Sequence, residues 1–386
     1  QFKTLSTDQL NALTTAQVKG LTTAQLVALT TEQVSALGTA VVSALTTAQI
    51  AAVATDNFVA LSTDAVAALT TAQVKSLTTA QIVALTENQA GVLTTAQVKA
   101  LSTTQMAVFE TADLAKLSTA HIQALSAGAI ASLTADQFKT LNTDQLNALT
   151  TAQVQALTSS QIAVLTSLQI NSMATDDLQA LLTSQIRALT TDQVSNISTD
   201  QISQLTTAQV AAMQTADVAA LNTSGVQALT TSQLTTLSTA QVRALTSDQV
   251  GKLTTAQLSV LTDVQAAALD TVDLAQLSTA QVRALSTAAL SGLTTAQTAS
   301  LSTDQVKNLT TTQVAALSSD QIKALSTAQL ANLSTTQMAA LKATQVVGIE
   351  TADLVTLTTD KLGALTTAAV AALSTAQVAS LTTDQI

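Results

Sequence analysis

A large apolar residue stands at every eighth position from Leu5 to Leu381, 48 positions in succession without an insertion or deletion. Leu69-Thr70-Thr71-Ala72-Gln73-Val74-Lys75-Ser76 is a clean copy of the octad. The few substitutes in the Leu slot are themselves large and apolar: Val53, Phe109, Met173, Ile197, Met213 and Ile349. Five residues after the Leu slot comes Val, Ile or Leu, with polar or small residues between. One long helix does not fit this spacing. Eight residues at about 100° each carry the Leu row roughly 80° around the helix per octad, so no fixed apolar face forms. A half-buried strand fits poorly too, because slots five apart point to opposite faces.

The octad does read as a helix start. With the Thr or Ser after Leu as N-cap, Gln falls at N3 and completes a capping box. Leu at N′ and Val/Ile at N4 make the hydrophobic staple. Leu205-Thr206-Thr207-Ala208-Gln209-Val210 repeats the arrangement. The pattern predicts a chain that enters a new helix of about five or six residues at every octad. Helices this short are unstable alone, so successive coils must stack. The predicted fold is all-α: a tight α-solenoid, or superhelix, with Leu, Val/Ile and the last-slot Ala inside and Thr, Gln, Asp and the variable slot outside. The second Thr is more uniform than an N1 position requires. It points either to a cap one residue later or to a hydroxyl that reaches the adjacent coil.

Charge placement agrees with the helical register. Of 24 acidic residues, 14 precede the Gln slot, as Asp8, Asp64 and Asp304 do. That slot is N2, where the helix dipole favours anions. Of 14 basic residues, ten follow the Val/Ile slot, Lys75 and Arg243 among them. The net charge of −10 is spread thinly and forms no basic stripe, so no nucleic-acid partner is expected. Each octad carries polar residues, so no segment is apolar enough to span a membrane. Without Cys there is no disulfide framework and no thiolate metal site. Residues 1–386 read as a single continuous array that begins and stops in mid-octad, as a window of a longer array would.

Some octads depart from the pattern. Gly38, Gly91, Gly128 and Gly225 weaken theirs and suggest local bends. At Phe109, Met213, Leu269 and Ile349 an acid or Gln replaces the first Thr/Ser and Asp replaces Gln, giving Asp113, Asp217, Asp273 and Asp353. The octads at Val53 and Met173 are looser relatives. In the stricter variants the second Thr is the only hydroxyl able to cap, which favours a shifted cap there.

Candidate chemistry is sparse. His121 is the only histidine and occupies a Gln slot, where it reads as a polar substitute. Asp176-Asp177 is the only adjacent acidic pair, and each Asp stands in a slot that takes Asp elsewhere. No catalytic triad, Gly-rich phosphate loop or converging metal ligands can be assembled. No catalytic, cofactor-binding or metal-binding residue is therefore assigned, and no enzyme activity is expected.

At Leu93-Thr94-Thr95-Ala96-Gln97 the octad resembles the Leu-Thr-x-x-Gln signature that opens helices in periplasmic stress chaperones, a likeness of five residues that implies local capping. Over its whole length the chain is similar to the Leu-Thr-Thr-Ala-Gln-Val repeat tracts of very large bacterial surface or adhesin-like proteins. That resemblance implies a secreted, cell-surface or filament-forming protein. The expected role is the shaft of an extracellular bacterial fibre or adhesin stalk, with self-association into a fibre or bundle. The alternative is an interaction module binding peptide, glycan or cations along its outer surface, with ice binding by the Thr pairs a third reading.

Overall fold

In most octads the second Thr opens a helix, and the hydroxyl before it caps the turn. In the computed structural model, which describes residues 2–386, a short 3-10 turn at Phe2–Thr4 is followed by 47 α-helices of four to six residues. No strand occurs among the described residues. Thr70 has extended dihedrals, and its Oγ1 accepts from the backbone N–H of Gln73 at 3.2 Å. The Gln73 side chain reaches back, and its Oε1 accepts from the N–H of Thr70 at 2.7 Å. The predicted capping box recurs in most octads.

The cap does not shift in the variants. Helices still open at Thr111, Thr271 and Thr351, with Glu110, Asp270 and Glu350 as N-caps that make no side-chain capping bond. The backbone geometry is set by the stacking of the array. A missing hydroxyl therefore costs a hydrogen bond without moving the boundary.

Two compact units divide the chain, Gln1–Gln193 and Val194–Ile386. In each, a helix packs on the third helix before it and the third after it. Thr47–Ala51 packs on Thr71–Ser76 in the first unit, and Ser247–Gly251 on Thr271–Gln276 in the second. Each unit is a helical solenoid of very short helices.

The interior holds three residues per octad: Leu, Val/Ile and, against expectation, Gln. Gln73 is 1% exposed and Gln345 is 2% exposed. The reason is the second end of the side chain. Nε2 of Gln73 donates to the carbonyls of Val42 and Leu45, each at 2.8 Å. In the second unit Nε2 of Gln345 donates to Val314 at 2.8 Å and Leu317 at 2.6 Å. One amide thus caps its own helix and ties it to the main chain 28 and 31 residues earlier. A buried primary amide needs both an acceptor and donors satisfied, and this site supplies them. Other contacts between turns span 25 to 29 residues, as in Asn11 to Ala36 and Ser76 to Thr47. A turn therefore takes about 28 residues, or roughly three and a half octads. Because that number is not whole, each octad meets its neighbours at staggered positions, which is why the sequence carries no period of three or four octads.

The last slot is half-buried in most octads instead of fully inside. At two octads it is glycine, because main chain of the turn before lies against it. A Cβ placed on Gly292 would lie 2.7 Å from Cα and O of Asp263, and one on Gly348 would lie 2.5 Å from the carbonyl of Ser319. Neither glycine has a positive φ, so the requirement is space. Gly292→Ala should cost the second unit roughly 1–2 kcal/mol net of the gain in helix propensity. Urea midpoints of the two proteins, compared by circular dichroism, test this.

Candidate functional site

The groups with unusual chemistry all sit in, or beside, the Gln slot. At His121 the ring does the work of the amide. Nδ1 accepts from the N–H of Ser118 at 3.2 Å, while the ring is also hydrogen-bonded to the Leu93 backbone, 28 residues back. The neutral imidazole, acceptor at one nitrogen and donor at the other, matches the two ends of Gln. Burial lowers its pKa, and the Leu93 bond opposes that in part. A lowered folded-state pKa means that the stabilisation is complete above the ordinary value near 6.5 and is lost as pH falls through the folded value. His121→Gln should therefore resist acid better than the parent. Its advantage in urea midpoint should grow between pH 7.5 and pH 5.

Asp in the same slot is one methylene shorter and, when ionised, can only accept. Two variants meet that need with a hydroxyl from the turn before. Ser247 Oγ donates to Asp273 Oδ1 at 2.8 Å, and Thr327 Oγ1 to Asp353 Oδ1 at 2.6 Å. Asn57 receives Thr31 Oγ1 at 3.1 Å in the same way. All three donors are the first helical residue of an octad, 26 residues back, so in these octads the second Thr, or the Ser in its place, reaches the adjacent coil.

Asp113 has no such donor, because position 87 is Glu and not Thr or Ser. It is 2% exposed, and its Oδ2 is buried without a hydrogen-bond partner. Burial, then the nearby carboxylates of Glu110 and Glu87, raise its pKa to about 6. Glu87 itself is engaged at the surface by Lys116, with Nζ 3.0 Å from Oε2. Asp217 is raised chiefly by burial, and Asp177 by burial and then by Asp176. Asp176 is exposed and Asp177 half-buried, so the adjacent pair does not form an enclosed acid–base site. Among the described residues no group of three or more His, Asp or Glu is placed to hold a metal ion.

Shallow grooves lie between turns on the outer surface. In the first unit Thr55, Thr79, Val83, Ala84 and Val108 line an apolar one, and Lys75, Lys99, Thr103 and Ser126 a polar one. In the second unit Lys323, Val347, Glu350 and Ser374 line another. None gathers a nucleophile, a base and an oxyanion donor, the set that acyl transfer requires. No helix among the described residues is long and apolar enough to cross a membrane.

Sequence reasoning placed Gln outside and so missed the tie between turns. The available signal was the near-constancy of Gln from octad to octad, since Glu serves a capping box equally well but could not donate. Asp113 could be singled out only once the spacing of 26 residues between turns was known.

Comparison with known proteins agrees with this repeat architecture. A family model described as the ALTTAQ repeat matches residues 2–39, 54–87, 66–103, 106–143, 138–175, 170–207, 210–247, 234–263, 266–303, 299–327, 319–348 and 346–383, tiling the chain in tandem. No curated protein matches the chain. Among solved structures, the leucine-rich repeat-containing protein LegL7 from Legionella pneumophila aligns over 55% of this chain and 85% of its own, at 13% identity and a TM-score of 0.16.

Proposed function

Given that the chain belongs to the ALTTAQ repeat family, we propose that it is a structural protein, the shaft of an extracellular bacterial fibre or adhesin stalk. The observation that supports this reading is the Gln tie. Most added octads bring their own cap and their own bonds to the preceding turn, so length grows without a new core. Load along such an array is shared among many recurring hydrogen bonds between turns. A surface of Thr, Asp and variable residues suits an exposed thread, and the absence of Cys makes its stability independent of redox state. In this reading the protein has no enzymatic role, lies outside the cell or on its surface, and associates with its own kind into fibres or bundles.

Negative-stain microscopy of the 386-residue chain tests the mechanical part, with thin rods expected. Compact particles would overturn it. Protease shaving of intact source cells tests the location, and release of octad-containing peptides before lysis is the expected result.

A further inference from the structure

The ties between turns are not evenly distributed. In the first unit Gln105 binds the carbonyls of Val74 and Leu77, and Gln137 binds those of Met106 and Phe109. Between them, three successive Gln slots hold Asp113, His121 and Ala129. With about three and a half octads per turn, three slots cover nearly a whole contact between turns. Asp113 has no amide to give to Ile82 and Leu85, the carbonyls at its 31- and 28-residue offsets. His121 reaches Leu93 alone. Ala129 gives nothing to Val98 and Leu101.

A similar order, Asp353, Lys361, Ala369, recurs in the second unit, but that contact keeps two side-chain bonds. Thr327 donates to Asp353, and Lys361 Nζ donates to the carbonyl of Ala331. The first unit's contact has the His121 bond and, at the surface, the half-exposed Lys116–Glu87 ion pair, but it is the one that buries an unpartnered carboxylate oxygen, Oδ2 of Asp113.

We propose that this contact, between the turn holding Ile82–Leu101 and the turn holding Asp113–Ala129, is a built-in breakpoint where the Gln1–Gln193 unit opens first. Nearest-neighbour stacking sets the stability of an array of this kind, so it parts where the stacking term is least favourable. The inference does not depend on the shaft reading, because it concerns where the array opens and not its shape or location.

The chain contains its own control. Octads Leu93–Ala100 and Leu149–Ala156 differ only at Lys99 and Gln155. Both are tied to the turn before, by Gln97 to Leu69 and by Gln153 to Leu125, each bond 2.7–2.8 Å. They differ in the turn after. The carbonyls of Val154 and Leu157 receive Gln185, each at 2.8 Å, whereas those of Val98 and Leu101 face Ala129. Native-state hydrogen exchange of the full chain should show Leu93–Ala100 exchanging roughly tenfold faster or more than Leu149–Ala156. Ala129→Gln should bring the two rates together. Equal rates in the parent, or a fast octad that Ala129→Gln leaves fast, would overturn the proposal. Should Ala129→Gln fail to fold, Gln185→Ala provides the converse test: it should raise the rate of Leu149–Ala156 toward that of Leu93–Ala100, and no change there would also overturn it.

Discussion

Asp113→Gln is expected to stabilise the first unit by about 3 kcal/mol at pH 7.5 and by far less near pH 4. The folded-state pKa of Asp113 is raised to about 6, above an ordinary value of 3.8. Its contribution to stability is therefore complete below 3.8 and is lost as pH rises through 6. The parent must hold an ionised carboxylate in a buried slot at neutral pH, with Glu110 and Glu87 adding repulsion. Gln removes that charge and can supply the donors that the carbonyls of Ile82 and Leu85 receive from no carboxylate. Urea denaturation at pH 4.5, 6 and 7.5 reads the result. A difference between the two proteins that stays constant across these pH values would refute the account.

The opposite substitution in a well-tied octad should be among the most damaging in the chain. Gln81 is 1% exposed, accepts from Thr78 N–H at 2.9 Å, and donates to Ile50 at 2.8 Å and Val53 at 2.9 Å. Gln81→Glu keeps shape and the capping acceptor but turns both donors into a charge facing carbonyl oxygens. A buried charge stripped of its partners costs roughly 3–5 kcal/mol. The introduced carboxyl should titrate well above the usual carboxylate range, so the loss should shrink as pH falls. Gln81→Ala, which leaves the carbonyls unpaired without adding charge, should cost less than Gln81→Glu at pH 7.5. Equal losses there would show that the charge is not what matters.

Much of the local structure was legible in the residues. The Thr-to-Gln spacing placed the N-cap at Thr70 and N3 at Gln73, and the apolar slots identified Leu69 and Val74 as core. The burial of Gln73 was not legible, because its second partners, Val42 and Leu45, lie about one superhelical turn away and nothing local states that distance. The same gap left open which of its two parts the second Thr plays. Thr327 looks like any other N1 residue until Asp353 is found 26 positions later. The expected cap shift at Glu110 failed for a related reason: neighbouring turns fix where a helix starts more firmly than one hydroxyl does. Of the chemically distinct groups, the sequence correctly placed His121 in a Gln slot, but Asp113 stood out only against Asp273 and Asp353.

The fractional number of octads per turn bears on how such a protein changes its size. Every octad finds its partner by counting back along the chain and not by matching a particular neighbour, so no copy has a reserved seat. Duplicating or deleting whole octads, at any boundary and in any number, hands each remaining amide another carbonyl pair at the same offset. A change of any other number of residues would put the copies on either side out of step. Copy number is thus free to drift under recombination while the reading frame of eight is held fixed.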